Sequence, residues 1–551
     1  MTTITTLAME SILTREIVTR ATLKRDVTQR DRARFVAIPR MLPSLPGMFF
    51  ITCLAAVVRF GSVFVSADGD AARHLAVGEY MLASGRTMQA DVFSFTMLDR
   101  PFVAYEWLAE VASAASYRLL GLAGPVLLHG VAIALSMSLV LARLNRRGAS
   151  PVLALAIVFL SAATSQMHWL ARPHSFTFLG TAVFCLVLDD WRRGRLSQRW
   201  LWVLPPAMAL WANLHGGFLV GLLLLATYLG ADTVRRLFGA RETAAGAERS
   251  LRELVPVALL ALVATCLNPV GPQLLTHVVG WFGNTLLINV TQEYQSPDFH
   301  QLPSRAFAAM LIATIASLAW SRRRPALHEG LLLLGFAYLA LFSRRNIPLF
   351  AIVAAPVLLR QVAELQLPRR RRNLALDRMA AWLGRRDRVL ARMDARFGGH
   401  FWPWAALLGL GLIAAQQRGV GEPLGIHFDS ARQPVGAVAY LKDHPLNGHM
   451  FNELSWGGYL IHELWPTQRV FIDGQTDFYG EALTREYLDV TQLRPNWHVV
   501  LDRYDVQWVI YRSDSALEQV LVASGEWDQV YRDAVAVILT RRPPGRTGDV
   551  Q

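Results

Sequence analysis

SADGDAARH, residues Ser66 to His74, follows directly on an apolar stretch at about 45–65. Such a stretch is long enough to cross a bilayer, which takes ~20 mostly apolar residues. Two carboxylates, Asp68 and Asp70, therefore stand at the first exit from hydrocarbon, with Arg73 and His74 a turn further on. Acidic groups beside hydrocarbon are costly, and they mark function more often than packing. Asp70 could instead cap the helix that begins at Ala71, but two acids exceed what capping needs.

Working outward, the chain contains eleven apolar candidates for spans, at about 45–65, 121–142, 151–167, 174–190, 200–214, 217–234, 253–270, 306–320, 327–343, 347–363 and 401–417. Of its 551 residues, 53% are hydrophobic and only 18% are charged. These runs override the length-based expectation of several soluble domains.

The net charge of +13 could suggest nucleic acid, but its distribution argues otherwise. Residues 1–42 and five alternate gaps between spans hold 33 basic residues, and the opposite gaps hold about 8. This is the positive-inside pattern. It predicts a cytoplasmic N-terminus and, with an odd number of spans, an extracytoplasmic C-terminal tail; no nucleic-acid partner is expected. Cys53, Cys185 and Cys266 all fall in apolar spans, so no disulfide framework is expected.

Three regions follow. Residues 1–42 read as a polar cytoplasmic segment, 43–417 as the membrane unit and 418–551 as a small extracytoplasmic α/β domain. In the tail, His449 to Glu453, Arg469 to Gly474, Val506 to Tyr511 and Ala534 to Thr540 read as strands. Gly480 to Leu493 and Ser513 to Ser524 have helical spacing, the second capped by Ser513 or Asp514. Pro368 to Arg396 reads as an amphipathic helix on an anionic leaflet or as a solvated basic loop. The first outer loop, 66–120, predicts two interfacial helices, Ala71 to Gly85 and Tyr105 to Gly121, forming a shelf with the carboxylates at its inner corner.

An enzyme at this face has no water-soluble nucleotide sugar to use, so a sugar donor would arrive in the lipid, as on a polyprenyl phosphate. Transfer needs a base, which Asp68 or Asp70 can supply. It also needs positive charge for the departing phosphate. Arg73, His74, Arg172, His174, His215, Arg344 and Arg345 are the candidates, and the last two run against the positive-inside bias. Arg59, seven residues before Ser66 and so about 10 Å away along a helix, can reach a phosphate or snorkel to headgroups. Asp68, Asp70 and His74 would also suit a divalent metal ion. Glu293, Asp298 and His300, in the loop Asn268 to Arg305, could complete the site or close over it.

The acidic motif after span one, the two juxtamembrane helices, RPFVAYEWLAEV (Arg100 to Val111) and the Leu-Gly step into span two together resemble the GT-C superfamily of membrane glycosyltransferases. Its members include protein O-mannosyltransferases and the aminoarabinose transferase that modifies lipid A. The resemblance covers about 45–270, and the later spans by topology alone. It implies that the first-loop acid, Asp68 or Asp70, is catalytic; the family commonly has two adjacent acids, whereas Gly69 separates these. In the tail, NELSWGGYLIHEL (Asn452 to Leu464) and RVFIDGQTDFYG (Arg469 to Gly480) resemble the outer domain of a bacterial branch of these proteins.

The expected protein is a GT-C-like bacterial inner-membrane transferase of about eleven transmembrane helices. It would pass a sugar, with inversion, from a polyprenyl-phosphate donor to a glycan, lipid or protein acceptor. The alternatives are a transporter or flippase of a lipid-linked or anionic substrate, and a non-catalytic assembly subunit. Against transport, the spans show no two-fold repeat.

Overall fold

The computed structural model describes residues 42–543, apart from 68, 148–149, 281–282, 284, 366–373 and 397–398. Asp68, the predicted segment 1–42 up to residue 41 and the start of the basic stretch after residue 365 lie outside the described residues. Serine caps and helix-opening prolines start the bundle. α1 (Leu45–Arg59) begins at Ser44, whose Oγ accepts from Gly47 N at 3.2 Å, with Pro46 in the first turn. Phe60 leaves helical geometry, so the first apolar stretch is broken, and α2 (Gly61–Ser66) follows. Next come α3 (Asp70–Ser84) and α4 (Trp107–Leu120), then α5 (Ala123–Arg146). α6 (Pro151–Ser165) is capped by Ser150 Oγ, which accepts from Leu153 N at 3.2 Å.

The bundle continues with α7 (His174–Arg192), α8 (Leu204–Leu214), α9 (Leu219–Phe238) and α10 (Arg241–Ala264). Two short helices, α11 (Gln273–Gly280) and α12 (Thr285–Val290), lead to α13 (Leu302–Trp320) and α14 (Leu327–Phe342). α15 (Ile347–Ala363), α16 (Leu374–Arg396) and α17 (Trp402–Gln417) complete it. A helix stands over each of the eleven apolar stretches. Among the described residues, five segments are long and apolar enough to cross a membrane: Ala123–Arg146, Pro151–His168, Gly216–Phe238, Leu302–Trp320 and Arg344–Ala363. Leu45–Arg59 and Leu327–Phe342 are shorter apolar helices. One continuous core, with Leu54, Val126, Met137, Phe184 and Phe350 at its centre, runs through the bundle.

The two ends of the bundle carry different chemistry. At the arginine-rich end Asp189 meets Arg143 at 3.2 Å, Arg147 at 2.9 Å and Arg193 at 3.0 Å, and Glu329 meets Arg360 at 2.9 Å. Buried charges persist only when paired in this way. α16 is pinned to the same end by its acids: Asp387 accepts from Ser150 Oγ at 2.6 Å, and Asp394 accepts from Leu45 N at 2.9 Å. The opposite end, the loop end, carries α3, α4 and the connections before α7 and α15.

The C-terminal part opens with α18 (Val435–Asp443), β1 (His449–Asn452) and α19 (Gly457–Leu464). α20 (Thr476–Thr491), α21 (Trp497–Arg503), β2 (Val506–Arg512) and α22 (Ala516–Ala523) follow, then β3 (Trp527–Arg532) and β4 (Ala536–Arg541). The sheet order is β1-β2-β4-β3, with β1 parallel to β2 and the other pairs antiparallel. Two expectations need correction. Residues 469–474 form no strand; Val470 makes a single bridge to Ser94, and the chain then turns toward α3. The cap of α22 is Ser515, whose Oγ accepts from Glu518 N at 3.1 Å, rather than Ser513 or Asp514.

The loop after α2 and the tail share one apolar cluster. Ala72, Val77, Met81 and Phe93 pack with Met450, Trp456, Leu460 and Trp508. The main chains also touch: a Cβ on Gly458 would overlap the Gly69 carbonyl oxygen, so only glycine permits this approach.

Candidate active site at the loop end of the bundle

Asp70 is the first residue of α3, but it is not a cap; Gly69 holds that position and no side chain caps the helix. Its carboxylate turns instead to Arg172, with Oδ2 2.5 Å from Nη2. Arg172 lies in the tight connection between α6 and α7, where Ala171 N donates to Phe64 O at 3.0 Å and ties the connection to α2. The other arm of Arg172 donates to Glu293 Oε1 at 2.6 Å. One guanidinium therefore bridges two acids from widely separated segments. Glu293 is half-buried, and its loss of water works against its charge. Arg172 and Arg345 nevertheless hold its carboxyl well below the usual range.

One turn along α3, His74 Nδ1 donates to Glu110 Oε1 at 3.0 Å, and its Nε2 lies 3.7 Å from Glu106 Oε2. Glu106 and Glu110 face α3 together because they stand four residues apart at the start of α4. Burial pushes the Glu106 carboxyl up to about 7 against the pull of His74. The opposite oxygen of Glu106 lies 3.4 Å from His215 Nε2, and that nitrogen is 3.0 Å from Arg345 Nη2. Gly217 N donates to His215 Nδ1 at 2.9 Å, which orients the ring. Arg345 also bonds to the Tyr294 hydroxyl and stands over that ring, 5.2 Å from its centroid.

Arg73 faces the tail. Its Nε lies 3.4 Å from Asp473 Oδ1, Nη1 is 3.9 Å from Glu110 Oε1, and Nη2 donates to Gln475 Oε1. Asp473 is fixed in turn by the Tyr479 hydroxyl at 3.0 Å and by Gln475 N at 2.8 Å. Gly474 lies against Asp70, so that a Cβ there would overlap Oδ1.

The structure thus brings Asp70, Arg73, His74, Arg172, His215 and Arg345 into one mostly buried polar group. His174 stands behind it, with Nε2 2.6 Å from His168 O and its ring 6.5 Å from that of His215. Arg344 takes part through its main chain: its N–H donates to Gln295 O at 3.0 Å, and its carbonyl accepts from His168 at 3.0 Å. Arg59 sits elsewhere. It lines an apolar groove of about 720 Å³ between α1, α17 and residues 424–426. Asp298 and His300 form an exposed turn, with His300 N donating to Asp298 Oδ1 at 2.9 Å.

Among the described residues, the donor set that could hold a metal is His74, Glu106 and Glu110, whose ligand atoms all lie within 4.8 Å of one another. One imidazole nitrogen and two carboxylates suit a divalent cation. Of the predicted trio it contains His74; Asp70 turns to Arg172, and Asp68 lies outside the described residues. Sequence reasoning missed Glu106, Glu110, Tyr294 and the participation of the tail. The one legible signal was the pair of acids four apart in YEWLAE (Tyr105 to Glu110), on one helix face beside aromatic residues.

No protein-family model and no curated protein sequence matches the chain. Solved structures do. The apo oligosaccharyltransferase of Archaeoglobus fulgidus aligns at 11% identity over 84% of this chain and 69% of its own, with a TM-score of 0.50. The same organism's oligosaccharyltransferase AglB, in complex with an inhibitory peptide and a dolichol-phosphate, aligns at 9% identity over the same shares, also at 0.50. ArnT from Cupriavidus metallidurans bound to undecaprenyl phosphate aligns at 16% identity over 89% of this chain and 97% of its own, at 0.46. The chain shares the fold of the archaeal oligosaccharyltransferase.

Proposed function

We propose that this chain, built on the fold of AglB, is a membrane glycosyltransferase. It takes a sugar from a polyprenyl-phosphate donor and passes it to a glycan, lipid or protein acceptor, with inversion at the anomeric carbon. The observation that carries the reading is the bridge Asp70–Arg172–Glu293, in which one arginine links the first-loop acid to the connection before α13. AglB has been solved with a dolichol-phosphate, a lipid of the proposed donor class.

The chemistry follows from the placement of charge. Asp70 is the acceptor of the nucleophile's proton, with Asp68 as the other candidate for that role. The departing phosphate needs cations held in place beforehand, and Arg172, Arg345 and Arg73 surround the centre. An anionic donor competes with Asp70 and Glu293 for Arg172, so donor binding releases the Asp70 carboxylate at the moment it is needed. His74, Glu106 and Glu110 would hold a divalent cation, which supplies further positive charge when bound.

In this reading about eleven helices cross the inner membrane of a bacterium. The N-terminus is cytoplasmic, the loop end and residues 418–551 are periplasmic, and the arginine-rich end faces the cytoplasm. The test replaces Asp68 and Asp70 singly by Asn, verifies membrane insertion, and profiles surface glycans and lipids in a complemented deletion strain. Loss of the product in one or both variants is expected. Unchanged product in both would remove the mechanism.

A further inference from the structure

The tail touches the membrane-side centre through three consecutive residues. Asp473 and Gln475 hold Arg73 from one side, and Glu110 faces it from the other. Between them Gly474 brings its main chain against the Asp70 carboxylate. One turn away, Gly458 of α19 sits on the Gly69 carbonyl. The first turn of α3, which carries Asp70, Arg73 and His74, is therefore held by the tail at Gly69, Asp70 and Arg73.

We propose that Asp473, Gly474 and Gln475 are positioning residues: they set the first turn of α3, through Arg73 and the Asp70 carboxylate, in the geometry that the transfer needs. This rests on the transferase reading above. Asp473 is well built for the task, since Tyr479 and Gln475 N fix both its oxygens and leave it one orientation toward Arg73. Gly474 serves by lacking a side chain. A methyl group there would push Asp70 away from Arg172 or the tail away from α3. A displacement of about 1 Å in such a centre costs about 100-fold in rate.

The full-length protein in nanodiscs and in a complemented deletion strain provides the test. The variants are Asp473→Asn, Asp473→Glu, Gln475→Ala and Gly474→Ala, with Asp528→Ala on β3 as a control expected to keep full activity. Two readouts are taken: surface product per folded molecule, and hydrogen exchange of the amides of residues 70–74. Faster exchange at 70–74, with the sheet unchanged and product lowered tenfold or more, is the expected result for Asp473→Asn, Gln475→Ala and Gly474→Ala. Asp473→Glu should recover part of both. If a variant fails to fold, Gln475→Ala, which removes no charge, decides. Unchanged exchange and unchanged product overturn the proposal. Lost product with unchanged exchange also overturns it, because the residues would then act on substrate directly. If Asp68→Asn and Asp70→Asn both keep full product, the transferase reading falls, and the exchange measurement still decides whether the tail positions α3.

Discussion

The carboxylate of Asp70, on the first turn of α3, and the guanidinium of Arg172, in the connection before α7, meet at 2.5 Å. Arg172 carries a second acid, Glu293, at 2.6 Å, so its single charge serves two carboxylates. All three side chains are mostly buried. Arg345 shares in neutralising Glu293, so Arg172 can exchange one of its carboxylates for an incoming anion.

Removing that cation should be costly. Arg172→Gln removes the cation that Asp70 and Glu293 share and leaves Arg345 as the remaining cation acting on Glu293, and the expected loss is about 3 kcal/mol of stability together with all product. Arg172→Lys keeps the charge but cannot fork between two acids, so most stability returns and activity does not. Thermal unfolding in nanodiscs and surface-glycan profiling check both. An Arg172→Gln protein of wild-type stability would contradict the bridge.

Glu293 makes the centre acid-sensitive. Its carboxyl is held below the ordinary value of 4.5, against burial, by Arg172 and Arg345. A depressed carboxyl contributes stability that is fully present above the unfolded value and is lost as pH falls below it. The unfolding temperature should therefore drop progressively below about pH 4.5, and Glu293→Gln should flatten that acid limb. An identical pH profile for the variant would exclude the contribution.

Metal occupancy at His74, Glu106 and Glu110 can be tested without a substrate. Manganese or zinc at 100 times its dissociation constant should stabilise the fold by about 2.7 kcal/mol, seen as a rise in unfolding temperature that EDTA reverses. The rise should shrink as pH falls, since protons compete for the imidazole and carboxylates. His74→Gln should remove it. An equal rise in that variant would locate the ion elsewhere.

At the arginine-rich end the expected effect is on stability alone. Asp189→Asn strands Arg143 and Arg147 in buried surroundings and should cost about 3 kcal/mol. Product per folded molecule should stay at the wild-type level, because Asp189 lies at the far end of the bundle from Asp70. A specific loss of activity at full stability would tie this end to the chemistry.

The helices were legible because hydrocarbon imposes a long apolar pattern that few other environments require, and a helix stands over every stretch so read. Asp70, Arg172 and Arg345 were legible for a related reason: a charge at an apolar end is conspicuous. Glu106 and Glu110 offered only their four-residue spacing, since a helix exposed at an interface carries acids routinely and nothing in YEWLAE says that both will be buried. The segment 469–474 was misread as a strand because Val470, Phe471 and Ile472 have strand composition. Their burial comes from packing into two cores, with only one bridge, to Ser94. The role of Asp473 and Gln475 depends on contacts across some four hundred residues of chain, which no local pattern encodes. The resemblance, read over about 45–270, agrees with the shared fold of the archaeal enzyme.

The bare contact between Gly69 and Gly458 bears on how the molecule is made. A nascent chain interrupted before residue 458 inserts its helices yet lacks the brace on Arg73. If the tail positions α3 as proposed, incomplete synthesis is expected to yield a protein that transfers nothing.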